Sequence, residues 1–337
     1  MTLVHITKNW DWPELVRQTP SSKGMWDGIQ FTLEPVEECD YVIVLNRVPQ
    51  DTTVRCRPEH VWAIIQEPPI EVFEDLHWGD VRYYRVYTQH LGLRSKRYIH
   101  SQPALPWHVN RGYDYLKGCG VPTKERRLSC ISSDKAFLEG HRARLQFLER
   151  LRQHVKFDLF GRGFSPIQDK WDGLAPFRYS LAIENFRNPY YWSEKLSDCF
   201  LAWTMPIYHG CTRIGDYFPA EAMVCIDIDD PMAVERVRET ISSDLYTRNF
   251  DAIAYARELV LERYQLFPFI AQQIKDHENI GSCNLSRPQT ILLTHRLRPP
   301  VNVKVRLATQ RYGRRLGSRL RKMISLGRRL ASLNEAK

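Results

Sequence analysis

Apolar residues in this chain fall in short runs whose spacing separates strands from helices. Residues 41–46 (YVIVLN) and 61–66 (VWAIIQ) are β-branched and aromatic runs without alternation, as in strands covered on both faces. Pro58, Pro68 and Pro69 break the chain around them. A first α/β unit over residues 1–118 follows from this pattern, and KGCGVPTKERR (117–127), mixing Gly, Pro and charge, reads as the crossing between units. Beyond it the alternation is regular. The pattern predicts strands at 128–132, 155–161, 179–185, 205–210 and 223–228, helices at 138–154 and 190–203, and a helical stretch from 231 to about 277. Such alternation implies a mostly parallel sheet whose ligands bind at the carboxyl ends of its strands. This second unit spans 119–280, followed by a connector at 281–303 and a tail at 304–337.

A chain of 337 residues suits two such domains. Net charge changes the picture only at the C-terminus. Residues 304–337 hold eleven Lys and Arg against Glu335 alone, so this segment carries 11 − 1 = +10 and the remainder of the +9 chain sums to 9 − 10 = −1. Tyr312, Leu316, Leu320, Met323, Ile324, Leu326, Leu330 and Leu333 recur in the tail at helical spacing between the arginines. An amphipathic basic helix on an anionic membrane surface is the expectation, and nucleic acid is not the expected partner. The eight cysteines include no C-x-x-C pair, and Cys130 and Cys225 lie in apolar runs that read as buried strands, so free thiols are expected. The opening MTLVHITKNWDWPEL breaks its apolar stretch with Lys8, Asp11 and Glu14, which reads as neither a signal peptide nor an anchor. Cytoplasmic residence, peripheral on the inner face of a membrane, is the corresponding expectation.

The most informative window is FRYSLAIENFRNPYYWSEKLSDCFLAWTMPIYHG (177–210). A strand ends in Glu184 and Asn185, a polar loop follows, and a helix starts near Trp192 to Glu194, with Ser193 as its candidate cap. The free N–H groups and positive dipole end of such a helix, with Lys195 beside them, suit an anionic phosphate. An exposed Glu-Lys pair at a helix start is also a common solvated pair, so spacing alone does not decide the matter.

The same window resembles the signature of glycosyltransferase family 10, the α1,3/4-fucosyltransferases, through Ile183-Glu184-Asn185, Tyr191-Trp192-Ser193-Glu194-Lys195-Leu196 and Met205-Pro206-Ile207, continued by FPAEAMVCIDIDD (218–230). Upstream, SSDKAFLEGHRARLQFLERLRQHVKFDLFGRG (132–163) is similar to the family's segment with an R-x-R helix, although Asp134 and Lys135 depart from it. WAIIQEPP (62–69) is similar to the segment that carries the family's general base, with Pro68 in place of a small residue.

This resemblance implies a GT-B arrangement of two Rossmann-like domains facing across a cleft, a GDP-sugar donor, with GDP-L-fucose first in order, a glycan acceptor, and inverting transfer without an essential divalent metal. It places Glu67 as general base, and Arg144 (with Arg142 as its competitor), Asn185, Tyr191, Glu194 and Lys195 at the donor. Fixed cations at a departing diphosphate make physical sense without a metal. Asp227, Asp229 and Asp230 form a D-x-D-D string that a cation-dependent class would use, but in the register of this resemblance they fall where the family ends a strand without a metal role. His90, His100 and His108 lack ligand spacing, and His108 is a candidate for the acceptor side. A transferase of the same fold using another nucleotide sugar, and a nucleic-acid binder acting through the tail, remain as alternatives.

Overall fold

The structure, a computed structural model, describes residues 1–279 and 286–300. The basic tail therefore lies outside the described residues. In the first unit, strands β1 (Thr2–Lys8), β2 (Met25–Trp26), β3 (Ile29–Thr32), β4 (Tyr41–Leu45), β5 (Thr52–Cys56), β6 (Val61–Ile64), β7 (Arg85–Thr88) and β8 (Tyr98–His100) accompany helices α1 (Glu74–Trp78) and α2 (Tyr113–Gly118). Seven of these strands form a sheet in the order β2-β3-β1-β4-β6-β7-β8, parallel except for the β2–β3 pair. The second unit contributes β9 (Arg126–Ile131), α3 (Glu139–Arg152), β10 (Asp158–Phe160), β11 (Phe177–Ile183), α4 (Glu194–Leu201), β12 (Met205–His209) and β13 (Val224–Cys225). Its sheet, β10-β9-β11-β12-β13, is wholly parallel. Helices α5 (Ala233–Ser242), α6 (Leu245–Arg248), α7 (Phe250–Leu259) and α8 (Leu266–Asn279) follow, and β14 (Gln289–Leu293) pairs antiparallel with β5. Two Rossmann-like sheets facing across a cleft make this a GT-B fold.

Burial on both faces explains the unalternating runs. Along β4, Tyr41, Ile43 and Leu45 enter one core, whereas Val42 and Val44 enter a second core on the opposite face. β6 divides the same way, with Trp62 and Ile64 on the first face and Val61 and Ala63 on the second. What covers the first face is α8, through Leu266, Phe267, Ile270, Ala271 and Ile274. This differs from the boundary drawn at residue 280, because the chain returns to the first unit after the π-helical turn Val260–Tyr264. At about 1.5–3 kcal/mol for each fully buried Leu, Ile or Phe, the return is firmly anchored. Trp107, Val109 and Leu116 join the core of the second unit, so its packing begins ahead of residue 118.

Three local predictions shift. The helix expected over 190–203 starts only at Glu194, since the carboxylate of Glu184 holds the preceding segment in place. The strand expected at 223–228 narrows to Val224–Cys225. Cys225 is exposed rather than buried, because β13 is the sheet edge, whereas Cys130 on β9 is buried. All seven cysteines among the described residues are free thiols. No helix among the described residues is long and apolar enough to cross a membrane.

The start of α3 lies directly against the chain that leaves β11: a Cβ at Gly140 would overlap the Asn185 carbonyl oxygen. In an open helix Gly→Ala gains about 1 kcal/mol. Here the sign reverses, and Gly140→Ala is expected to destabilise the protein by about 1–3 kcal/mol, read as a lower urea midpoint; an unchanged or higher midpoint contradicts this packing.

Candidate active site

The second sheet reverses its direction of growth between β9 and β11, and ligands of open α/β sheets bind where strand order reverses. Ser132 and Ser133 leave β9 there, and Glu184 and Asn185 leave β11. A cavity of about 880 Å³ opens at this point, lined by Gly140, Arg142, Glu184, Asn185, His209 and Asp229 of the second unit. Ile70, Glu71 and Val72 of the first unit close its far side, so it belongs to the cleft. The N-terminus of α3 faces it, and its N-cap position, Leu138, offers no side-chain cap.

Beside the cavity lies a cluster of alternating charge. Glu184, 2 % exposed, accepts from Ser193 N (2.7 Å), Ser193 Oγ (2.9 Å) and Lys195 Nζ (3.2 Å). Gly210 leaves room for it, since a Cβ there would press on the Glu184 side chain. Ser193 caps α4 as expected, accepting from Lys195 N at 3.3 Å. The N-terminus of α4 is thus already met by the Glu184 carboxylate, whereas the sequence pattern leaves it open to phosphate. The uncapped helix start at the cavity belongs instead to α3.

Glu194 Oε1 stands 3.8 Å from Lys195 Nζ and 3.2 Å from Lys170 Nζ, and Lys170 also reaches Asp198 Oδ2 at 3.2 Å. Burial opposes ionisation of Glu194, but Lys170 and Lys195 outweigh it and hold its carboxyl well below the usual carboxylate range. Burial also works against the Lys195 charge, and Glu184 and Glu194 overcome it, so the ammonium is retained. Tyr191, 5 % exposed, has its phenol driven well up by burial and then by Glu184, Glu194 and Glu67, so it stays neutral as a donor.

Glu67 comes from the other unit. Its backbone is fixed by Gln66, whose N–H donates to Asn46 Oδ1 (2.8 Å) and whose side chain donates to the Ala104 carbonyl (3.2 Å). Asn46 takes a left-handed conformation (φ 63°), which asparagine tolerates better than most residues. Burial, then the charge of Glu194, raises the Glu67 carboxyl above its ordinary value, with Lys195 and Lys135 opposing. The His108 ring, 3.9 Å from Glu194, completes the wall and is held neutral by burial and then by Lys170.

The structure therefore gathers Glu67, Tyr191, Glu194 and Lys195 at one place. Asn185 lines the adjoining cavity and donates through Nδ2 to His141 Nε2 at 3.1 Å. Arg144 lies beneath, 5 % exposed, with Nη2 donating to the Ser133 carbonyl (3.1 Å) and Nε unpartnered. Arg142 is exposed, lines the cavity and donates to the carbonyls of Ala136 and Phe137. Sequence reasoning missed the roles of Glu184, Lys170, Asp198 and His141. Glu184 was legible as part of the motif, but Lys170 lies in the patternless stretch QDKWDG and only the fold brings it here. In the D-x-D-D string, Asp227 pairs with Arg187 (2.7 Å) and Asp230 with Arg236 (3.6 Å). Among the described residues no three His, Cys, Asp or Glu side chains group as a metal site.

The match to a known family lies within the second unit. Residues 121–244 match the model of glycosyltransferase family 10 (fucosyltransferase) C-term. The human 4-galactosyl-N-acetylglucosaminide 3-alpha-L-fucosyltransferase FUT6 is 28% identical over 108 residues, which cover 30% of this chain and 30% of the relative. The human 3-galactosyl-N-acetylglucosaminide 4-alpha-L-fucosyltransferase FUT3 is likewise 28% identical over 108 residues, again 30% of this chain and 30% of the relative. The match thus spans about a third of the length of these curated relatives. A crystal structure of an alpha1,3-fucosyltransferase aligns with a TM-score of 0.46 at 13% identity, covering 79% of this chain and 91% of that one. The segment that resembles the glycosyltransferase family 10 (fucosyltransferase) C-terminal model, residues 121 to 244, carries β9, α3, β11, α4 and the charge cluster between them.

Proposed function

We propose that this chain is an inverting glycosyltransferase that transfers L-fucose from GDP-fucose to a glycan hydroxyl in an α1,3-type linkage. The observation that carries the reading is the meeting, across the cleft, of a general-base candidate, Glu67, with the charge cluster of the family 10 domain. The nucleotide occupies the 880 Å³ cavity, with its diphosphate at the uncapped start of α3. Arg144 supports that placement: a buried guanidinium with an unpartnered Nε and no carboxylate in ion-pair distance among the described residues is costly without an anion nearby. Asn185 orients the nucleoside side, and Tyr191 and Glu194 hold hydroxyls of the sugar.

Glu67 removes the proton of the acceptor hydroxyl as its oxygen attacks the anomeric carbon from the face opposite the diphosphate. The bond from that carbon to the phosphate oxygen breaks, and GDP leaves with the electron pair. Lys195, Arg144 and the N–H groups of α3 supply positive charge that is in place before the charge develops, so the reaction needs no divalent ion.

Lys195→Ala and Arg144→Ala are each expected to lower kcat/KM for GDP-fucose by roughly 10²–10³-fold while the fold survives, and chelator leaves wild-type turnover unchanged. Full turnover in both variants removes the diphosphate site; loss of turnover in chelator removes the metal-free step.

A raised carboxyl pKa makes the ionised base scarce as pH falls, so kcat/KM is expected to drop on the acid side with a limb above the ordinary glutamate value of 4.5. Glu67→Gln is expected to lose about 10²–10⁴-fold in rate together with that limb. A limb that persists unchanged in Glu67→Gln assigns the base elsewhere.

A further inference from the structure

Residues 108–111, at the crossing between the units, are held by two carboxylates of the second unit. Asp198, 1 % exposed and on α4, accepts from His108 N (2.8 Å) and Val109 N (3.3 Å). Asp169 accepts from Asn110 N (2.9 Å) and pairs with Arg111, while its other contact caps the short turn that begins at Lys170 by accepting from Trp171 N (2.9 Å). Lys170 therefore emerges from one clamp on the crossing, and its ammonium reaches the other clamp and Glu194 together, at 3.2 Å each.

Charge balance gives this arrangement its consequence. On α4 and the end of β11 stand three carboxylates, Glu184, Glu194 and Asp198, with Lys195 as the only cation that α4 itself supplies. Lys195 is 3.2 Å from Glu184 and 3.8 Å from Glu194. Without a further cation, Glu194 would draw Lys195 to itself, and three carboxylates would share one ammonium. Lys170 meets the same Glu194 oxygen, Oε1, more closely than Lys195 does, and burial that disfavours its charge is overcome by Glu194 and Asp198.

We propose that Lys170 is a positioning residue: by bridging Glu194 and Asp198 it fixes the donor-side carboxylate, leaves Lys195 to the diphosphate, and ties donor binding to the crossing at 108–111. This rests on the proposed GDP-sugar site. It assigns a role to a residue outside the motif and makes Asp198 the mechanical link between α4 and the chain that joins the units.

The test is steady-state kinetics of the full chain with GDP-fucose, for wild type, Lys170→Met, Lys170→Arg, Glu194→Gln and the Lys170→Met/Glu194→Gln double variant. The groups facing Glu194 are Lys170 from the turn, Lys195 from its own helix, His108 from the crossing, Glu67 from the first unit and Tyr191 from the segment ahead of α4, while Glu184 acts on it through Lys195. Lys170→Met removes the first-ranked attraction that keeps Glu194 ionised, so its carboxyl titrates at higher pH and the carboxylate is lost as pH falls. KM for GDP-fucose is expected to rise about tenfold or more and to rise further toward acid pH, where wild type stays flat. Lys170→Arg is expected to restore the flat profile. The double variant is expected to be no worse than Glu194→Gln alone, a non-additivity that a role confined to folding does not produce. A flat profile with wild-type KM in Lys170→Met, or fully additive losses in the double variant, overturns the proposal while leaving the enzyme reading intact. Absence of GDP-fucose turnover in wild type overturns the enzyme reading itself.

Discussion

The buried carboxylate of Glu184 is the constraint on which the site depends. It sits at the end of the middle strand of a parallel sheet, nearly out of reach of water, and its charge is met by Ser193 and Lys195 at the start of α4. A buried carboxylate is tolerated only when hydrogen-bonded and paired. That requirement sets where α4 begins, since the residues ahead of Glu194 must bend to bring the Ser193 N–H and hydroxyl onto it. It also orients Lys195, and through Lys195 the position of Glu194.

From that centre the charges alternate outward, Glu184, Lys195, Glu194, Lys170, Asp198, until the last carboxylate grips the backbone of the crossing. The chain of contacts makes the proposed donor site and the crossing between the units one electrostatic unit. On the proposed function, a cleft that admits a nucleotide sugar and then a glycan needs such a unit, because the proposed base and the proposed donor site reside on different sheets. Glu67 is held by its own neighbours, Gln66 and Asn46, and meets the cluster only because α8 and the crossing fix the two sheets face to face.

Much of this was legible in the sequence because the strands are covered on both faces and so appear as unbroken apolar runs. The motif from Glu184 to Leu196 is contiguous, and contiguity is what sequence patterns preserve. α8 was misplaced for the opposite reason: its apolar spacing says that it is a helix but not which sheet it covers, and it follows α7 without a long break. Lys170 and His141 were illegible as site residues, since their partners lie 24 and 44 positions away and pairing at that range is set by topology. Arg144 and Arg142 share a helix turn, and only burial separates them, with one beneath the cavity and the other on its wall.

The central claim is that the switch point between β9 and β11 binds a guanosine diphosphate and that α3 and α4 together frame it. Hydrogen–deuterium exchange of the full chain with GDP, and with UDP as comparator, tests it most directly. GDP is expected to slow exchange at the first turn of α3 and from residue 184 to the start of α4, with UDP giving less protection at equal concentration. Equal protection by both nucleotides, or protection confined to other segments, contradicts the account.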